Sequence, residues 1–230
     1  MRTIFFILLS VFAVAAGQAQ VNFSLSGGIN LTGLKNDWDV FQSPKIYPRF
    51  GYSFGGSAEV HLVKSFYIKG QMNITSKNYG FNVEDFYGSG TVGYDRYSIV
   101  YLNFPIQTGY YYKNMSFFAG PFFDFCLGGT NQHNLEYFNG ETDKGTYGID
   151  PTGELKSSEI SSCIFPLQGQ NYLDAGMIVG IGHHNDNFSL DLSYAYGLIN
   201  IFPKVDGSQI NRNDYSLYTR VLTVRLNIFL

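Results

Sequence analysis

The chain has 230 residues, a formal net charge of −3, 14% charged residues and 17% aromatic ones, among them 18 tyrosines and 21 phenylalanines. The near-neutral balance argues against nucleic acid as a partner, and the length suits one domain. Beyond the N-terminus no run of about 18 apolar residues occurs, so no transmembrane helix is available. Any crossing of a membrane must then use strands closed into a barrel.

Residues 1–19 read as a signal peptide. Arg2 gives a positive start, Ile4 to Ala16 an apolar stretch, and Gly17-Gln18-Ala19 a small-x-small cleavage site. The apolar stretch is short for a membrane anchor, and no cysteine follows the cleavage site to carry a lipid. Residues 20–230 form the expected barrel domain.

The first strand is "VNFSLSGGINLT", residues 21–32, where Val21, Phe23, Leu25, Ile29 and Leu31 alternate with Asn, Ser, Gly and Thr. Period-two alternation marks a strand with one oily and one polar face. The pattern recurs in seven further stretches: 50–62, 66–75, 101–112, 117–128, 172–182, 188–198 and 218–230. The connections after strands two, four and six are tight. Those after strands one, three, five and seven run to about 17, 20, 40 and 18 residues. Strict alternation of short and long connections is the arrangement of an outer-membrane barrel. The sequence therefore predicts an all-β, eight-stranded antiparallel up-and-down transmembrane β-barrel, with short periplasmic turns and long extracellular loops. A soluble ligand barrel of the lipocalin type is the competing reading. Its water-facing surface would have to be the Gly, Ser, Thr and Asn face, which is poor in charge for that role.

"YLNFPIQTGYYY" resembles the Tyr-Leu-x-hydrophobic-Pro-hydrophobic strand of the PorT-like outer-membrane β-barrel proteins (porin family) of Bacteroidetes. "FFAGPFFDF" is similar to that family's following Ala-Gly-Pro strand, and "SYAYGLINI" to its Tyr-x-x-Gly-Leu-x-Asn-Ile strand. The resemblance spans the mature chain in order and implies an integral, multi-pass barrel of the outer membrane. The family is functionally mixed, and its best-known member acts in type IX secretion and gliding. Barrels of this kind tend to end in an aromatic residue. Here Phe229 has the wrong parity for lipid, and the final residue is Leu230.

With the oily face turned to outer-membrane lipid, Phe23, Leu25, Ile29, Phe104, Ile106, Leu190, Leu192, Val224 and Leu226 are the expected lipid-facing residues. Tyr110, Tyr112 and Phe188 would form the periplasmic aromatic belt, and Tyr52, Tyr196 and Tyr218 the outer one. The inward parity carries Glu59, Lys69, Asp191 and Arg225, with His61 and Gln71 nearby. Charges inside a narrow barrel must pair or stay solvated, so these six are expected to form a polar plug, the alternative being scattered hydrated charges. Cys126 has inward parity and Cys163 lies in the third long loop. In an exported protein the two could form one disulfide or remain two thiols.

Weaker signals complete the reading. "GSGTVG" at 88–93 matches a nucleotide-binding glycine pattern but lacks the strand-to-helix turn that the chemistry needs. His183-His184 with Asp186 lacks a third fixed metal ligand. His133 near Glu136 and Glu141 is the only His near the outer rim that could serve a lipid A-modifying enzyme. Trp38, Phe41, Tyr47, Phe81, Phe86, Tyr137 and Phe138 could form a docking surface for a protein partner. The expectation is a non-enzymatic structural or interaction protein, without cofactor, possible alternatives being a narrow pore for small solutes and the lipid A enzyme.

Overall fold

The computed structural model describes residues 21–36, 45–63, 65–84, 90, 92–149, 172–201 and 216–230. Among them lie nine strands: β1 (Val21–Asn36), β2 (Lys45–Val63), β3 (Phe66–Glu84), β4 (Val92–Tyr112), β5 (Met115–Glu136), β6 (Thr142–Ile149), β7 (Leu173–His184), β8 (Phe188–Gly197) and β9 (Leu217–Phe229). Each of β1, β2, β3, β4, β5, β7, β8 and β9 pairs antiparallel with its neighbour, and β9 pairs back onto β1. These eight strands close a ring. β6 stands outside it, paired with the outer half of β5 from Gly129 to Glu136. Closure leaves the ring without open edges, as a chain crossing hydrocarbon requires.

The apolar parity points outward. Phe23, Leu25, Ile29, Ile106, Leu190, Leu192, Val224 and Leu226 are exposed on the wall, and Phe104 is half-exposed against the Phe125 ring, 5.9 Å away. Tyr110, Tyr112 and Phe188 at one end and Tyr52 and Tyr196 at the other are exposed too. The tight β4–β5 turn is Lys113-Asn114, with Lys113 at φ +54° in the left-handed region.

The strands are longer than the pattern suggested, and this corrects the loop lengths. β4 has 21 residues and β5 has 22, where a tilted strand crosses hydrocarbon in about 9–11. The outer halves of β3, β4 and β5 therefore rise beyond the bilayer. There the two faces exchange character. On β3 and β4 the inward positions become Tyr79, Phe81, Tyr97, Ile99 and Tyr101, all buried, while Asn78, Arg96 and Ser98 take the other parity. A strand passing from lipid into water must turn its oily face from outside to inside. A bulge at Val100/Tyr101, where Gly128 sits at φ +121°, resets β5 so that Asn131, His133 and Leu135 are buried beyond it.

Candidate functional site: a filled lumen

From the periplasmic mouth outward, the barrel interior is a stack of layers. The first is aromatic. Tyr111 of β4 stacks on His61 of β2 at 5.6 Å and contacts Tyr67 of β3 at 4.6 Å and His184 of β7 at 5.0 Å. Phe229 completes the layer against His184 at 4.8 Å. The parity that keeps Phe229 from lipid is the parity that turns it into the mouth. His184 thus belongs to an interior ring rather than to an exposed turn.

The second layer holds the charges. The β2–β3 register sets Glu59 opposite Lys69, and the β8–β9 register sets Asp191 opposite Arg225. The side chains then reach past these neighbours. Glu59 accepts the Tyr111 hydroxyl at 2.8 Å and lies 2.9 Å from His61 Nε2. Lys69 meets Asp191 across the lumen at 3.5 Å. Asp191 also accepts from Asn227 at 2.7 Å. Arg225 donates to Gln71 Oε1 and, at 3.3 Å, to Ser53 Oγ. Its register partner on β1 is Gly28, where a Cβ would stand 3.3 Å from that of Arg225. The bare glycine leaves the long arginine room to cross β1 toward β2 and β3. Gln71 in turn donates to Gln107 at 2.9 Å. With Glu59 and Asp191 set against Lys69 and Arg225, the layer is charge-balanced.

Above it lies a cluster that sequence reasoning missed. Lys77 Nζ sits 2.6 Å from Asp124 Oδ2 of β5 and 2.5 Å from Asp174 Oδ2 of β7, and all three side chains are at most 3% exposed. The two aspartates are direct register partners. Asn103 donates to Asp124, and Thr219 to Asp174 at 2.6 Å. Lys77 lies outside the predicted third strand, yet the parity of Tyr67, Lys69, Gln71, Asn73 and Thr75 continues unbroken to it. Counting on by twos would have placed it inward.

The outermost layer is an apolar core of Tyr79, Phe81, Tyr97, Ile99, Tyr101, Cys126, Ile149, Ile201 and Leu217, with Leu34 and Ile46 packed on it. Phe81, expected on a docking surface, is instead buried here, and Tyr47 covers Gly80, its cross-strand partner. Beside this core, beyond the bilayer, Asp95 accepts from Asn131 and from Tyr97 at 3.0 Å. Burial pushes its carboxyl above the usual range, against those hydrogen bonds. His133 is buried under Tyr147, ring to ring at 5.0 Å, with Nε2 3.3 Å from Asp143. It does not present an accessible base beside Glu136 and Glu141 at the rim, which corrects the enzyme-like grouping.

Cys126 is buried in the outer core, while Cys163 lies outside the described residues. So do residues 1–19, Trp38, Phe41, Phe86 and half of "GSGTVG". Phe138 is 89% exposed at the β5–β6 turn. Among the described residues no group of three or more His, Cys, Asp or Glu is placed to hold a metal ion.

A closed ring of strands, oily outside and filled with paired polar groups inside, defines an integral outer-membrane β-barrel. Residues 16–203 match the outer membrane protein beta-barrel domain family, and the chain belongs to it. Solved structures of similar extent include Ail, the attachment invasion locus protein of Yersinia pestis (12% identity, 92% of this chain and 99% of that one, TM-score 0.40). OprG from Pseudomonas aeruginosa (11%, 92% and 94%, TM-score 0.39) and Neisserial surface protein A (10%, 91% and 98%, TM-score 0.38) are others. No curated protein matches the chain.

Proposed function

We propose that the protein is a non-enzymatic barrel whose membrane part is an anchor and whose extracellular part binds a protein partner, in the manner of the PorT-like proteins that serve secretion. The reading rests on one observation: the lumen is filled in series by the aromatic mouth, the balanced charge layer, the Lys77 cluster and the outer apolar core. A solute path would have to break each of these. The outer halves of β3, β4 and β5, extended by β6, offer the surface for a partner. Among the described residues β6 pairs only with β5, so its second edge presents backbone groups to which another strand can add.

The test is to reconstitute the purified protein in planar bilayers and, separately, to extract it in mild detergent from its own membrane. The reading expects no steady conductance and a stoichiometric protein that stays bound. It expects that protein to be lost when β6 and its turn are deleted. Stable unitary conductance from the wild-type protein would instead establish the narrow-pore reading.

A further inference from the structure

The Lys77 cluster holds one amine between two buried carboxyl groups. An amine and a carboxyl group 97 residues apart in sequence are held at 2.5 Å, Nζ to Oδ2 of Asp174. A second acid, Asp124, touches the same nitrogen at 2.6 Å. The rings of Tyr101 and Phe122 stand 5.2 and 5.1 Å from Nζ and keep water from it. The Thr219 hydroxyl donates to the Asp174 oxygen nearest the lysine, and Asn103 fixes Asp124. Asp174 Oδ1 is buried without a hydrogen-bond partner among the described residues, while Oδ2 takes both the lysine and the threonine.

We propose that Lys77 and Asp174 condense to an intramolecular isopeptide bond, with Asp124 as the proton shuttle. The step balances without any outside reagent. Lys77 passes one proton to Asp174, making a neutral amine and a carboxylic acid. The amine lone pair attacks Cγ of Asp174, and the carbonyl π pair moves to Oδ1, while Thr219 stays hydrogen-bonded to Oδ2, the oxygen that leaves. Asp124 accepts a proton from the attacking nitrogen and returns it to the departing hydroxyl. The C–O bond breaks, water leaves, and the amide N–H remains. An ammonium and a carboxylate become an amide and one water, and Asp124 ends as it began.

Two physical reasons favour the condensation here. Reactants locked in contact gain effective concentrations of about 10⁵–10⁸ M, and a dry site takes away the water that would reverse the reaction. The bond would tie β3 to β7 straight across the lumen.

Protease digestion and tandem mass spectrometry of protein isolated from its own membrane test this. The expected result is a branched peptide joining Lys77 to Asp174, lighter by one water than the two peptides together. Boiled wild-type protein should also run ahead of boiled Lys77→Arg, because the cross-link keeps the denatured chain compact. Asp124→Asn should leave the two peptides unlinked in protein that still shows the mobility shift of a folded barrel before boiling. Recovery of the Lys77 and Asp174 peptides separately and at full mass from wild-type protein overturns the proposal, whatever the variants do. A cross-link that persists in Asp124→Asn overturns the role given to Asp124.

Discussion

Arg225 offers the most direct measure of how tightly the charge layer is built. Replacing it with alanine removes donation to Gln71 and to Ser53 and leaves Glu59 and Asp191 facing Lys69 alone. Each hydrogen bond from a charged donor contributes about 1.5–3 kcal/mol. The two together agree with the roughly 3–5 kcal/mol lost when one partner of a buried ionic group is removed. For a urea slope of about 2 kcal/mol per molar, that is a fall in midpoint of about 2 M, a large fraction of a total stability of about 5–15 kcal/mol. The assay is reversible urea unfolding in lipid vesicles, read by the gel mobility of the unboiled protein and by circular dichroism. Asp191→Asn in the same background restores the charge balance and keeps an oxygen to accept from Asn227, so the double variant should recover about 1–2 kcal/mol of coupling. Neither variant should conduct, because the aromatic mouth and the outer core still bracket the layer. A midpoint shift under about 0.5 M, with no coupling to Asp191, would show that the layer is hydrated and loosely paired, and would refute the reasoning.

Further outcomes follow from particular positions. A Cβ at Gly120 would lie 1.9 Å from the Ile106 carbonyl oxygen, whereas at Gly70 it would meet nothing within 4 Å. Gly120→Ala should thus cost at least about 3 kcal/mol, and Gly70→Ala should be neutral or gain up to about 1 kcal/mol, both read from urea midpoints in vesicles. Val224→Arg, on the outward face of β9, should cost about 2–4 kcal/mol if it lies near the bilayer midplane, and a near-zero cost in the same assay would put Val224 outside the hydrocarbon. Asp95 is raised by burial in the folded protein. Its contribution to stability is therefore complete below its unfolded value of about 3.9 and is lost as pH rises through the folded value. Protease protection of the outer segment in urea should be better near pH 4 than at pH 7, and Asp95→Asn should flatten that difference. Gly128 at φ +121° carries the bulge that turns Asn131, His133 and Leu135 inward. Gly128→Val should cost about 1–3 kcal/mol of backbone strain, expose β6 to protease and leave the membrane ring folded.

The eight staves were legible because each crosses the same solvent boundary with the same period. "VNFSLSGGINLT" carries its answer in its alternation, and Phe23, Leu25 and Ile29 are indeed exposed on the wall. The outer halves were not legible by that rule. A stretch such as Ser76 to Phe81 keeps its parity while its two faces exchange chemistry, so a search for oily residues on the outward parity stops at the membrane edge. Lys77, Tyr79 and Phe81 lie on the far side of that edge, where the outward parity carries no oily residues to mark a strand. β6 was lost in the same way, since "TDKGTYGI" has no oily face and gains its place only by pairing with β5.

Partner choice inside the lumen was hidden for a different reason. In the barrel the strand register sets Glu59 opposite Lys69 and Asp191 opposite Arg225. In a flat sheet those would be the contacts. In a closed ring of eight strands the interior is only about wide enough for side chains to fill, so a long side chain can reach the far wall as easily as the next strand. Lys69 of β3 therefore meets Asp191 of β8, Lys77 of β3 meets Asp174 of β7, and Arg225 of β9 passes over Gly28 to Ser53 of β2. Each of these contacts joins strands that are not neighbours. Curvature thus converts a set of local cross-strand pairs into braces across the diameter.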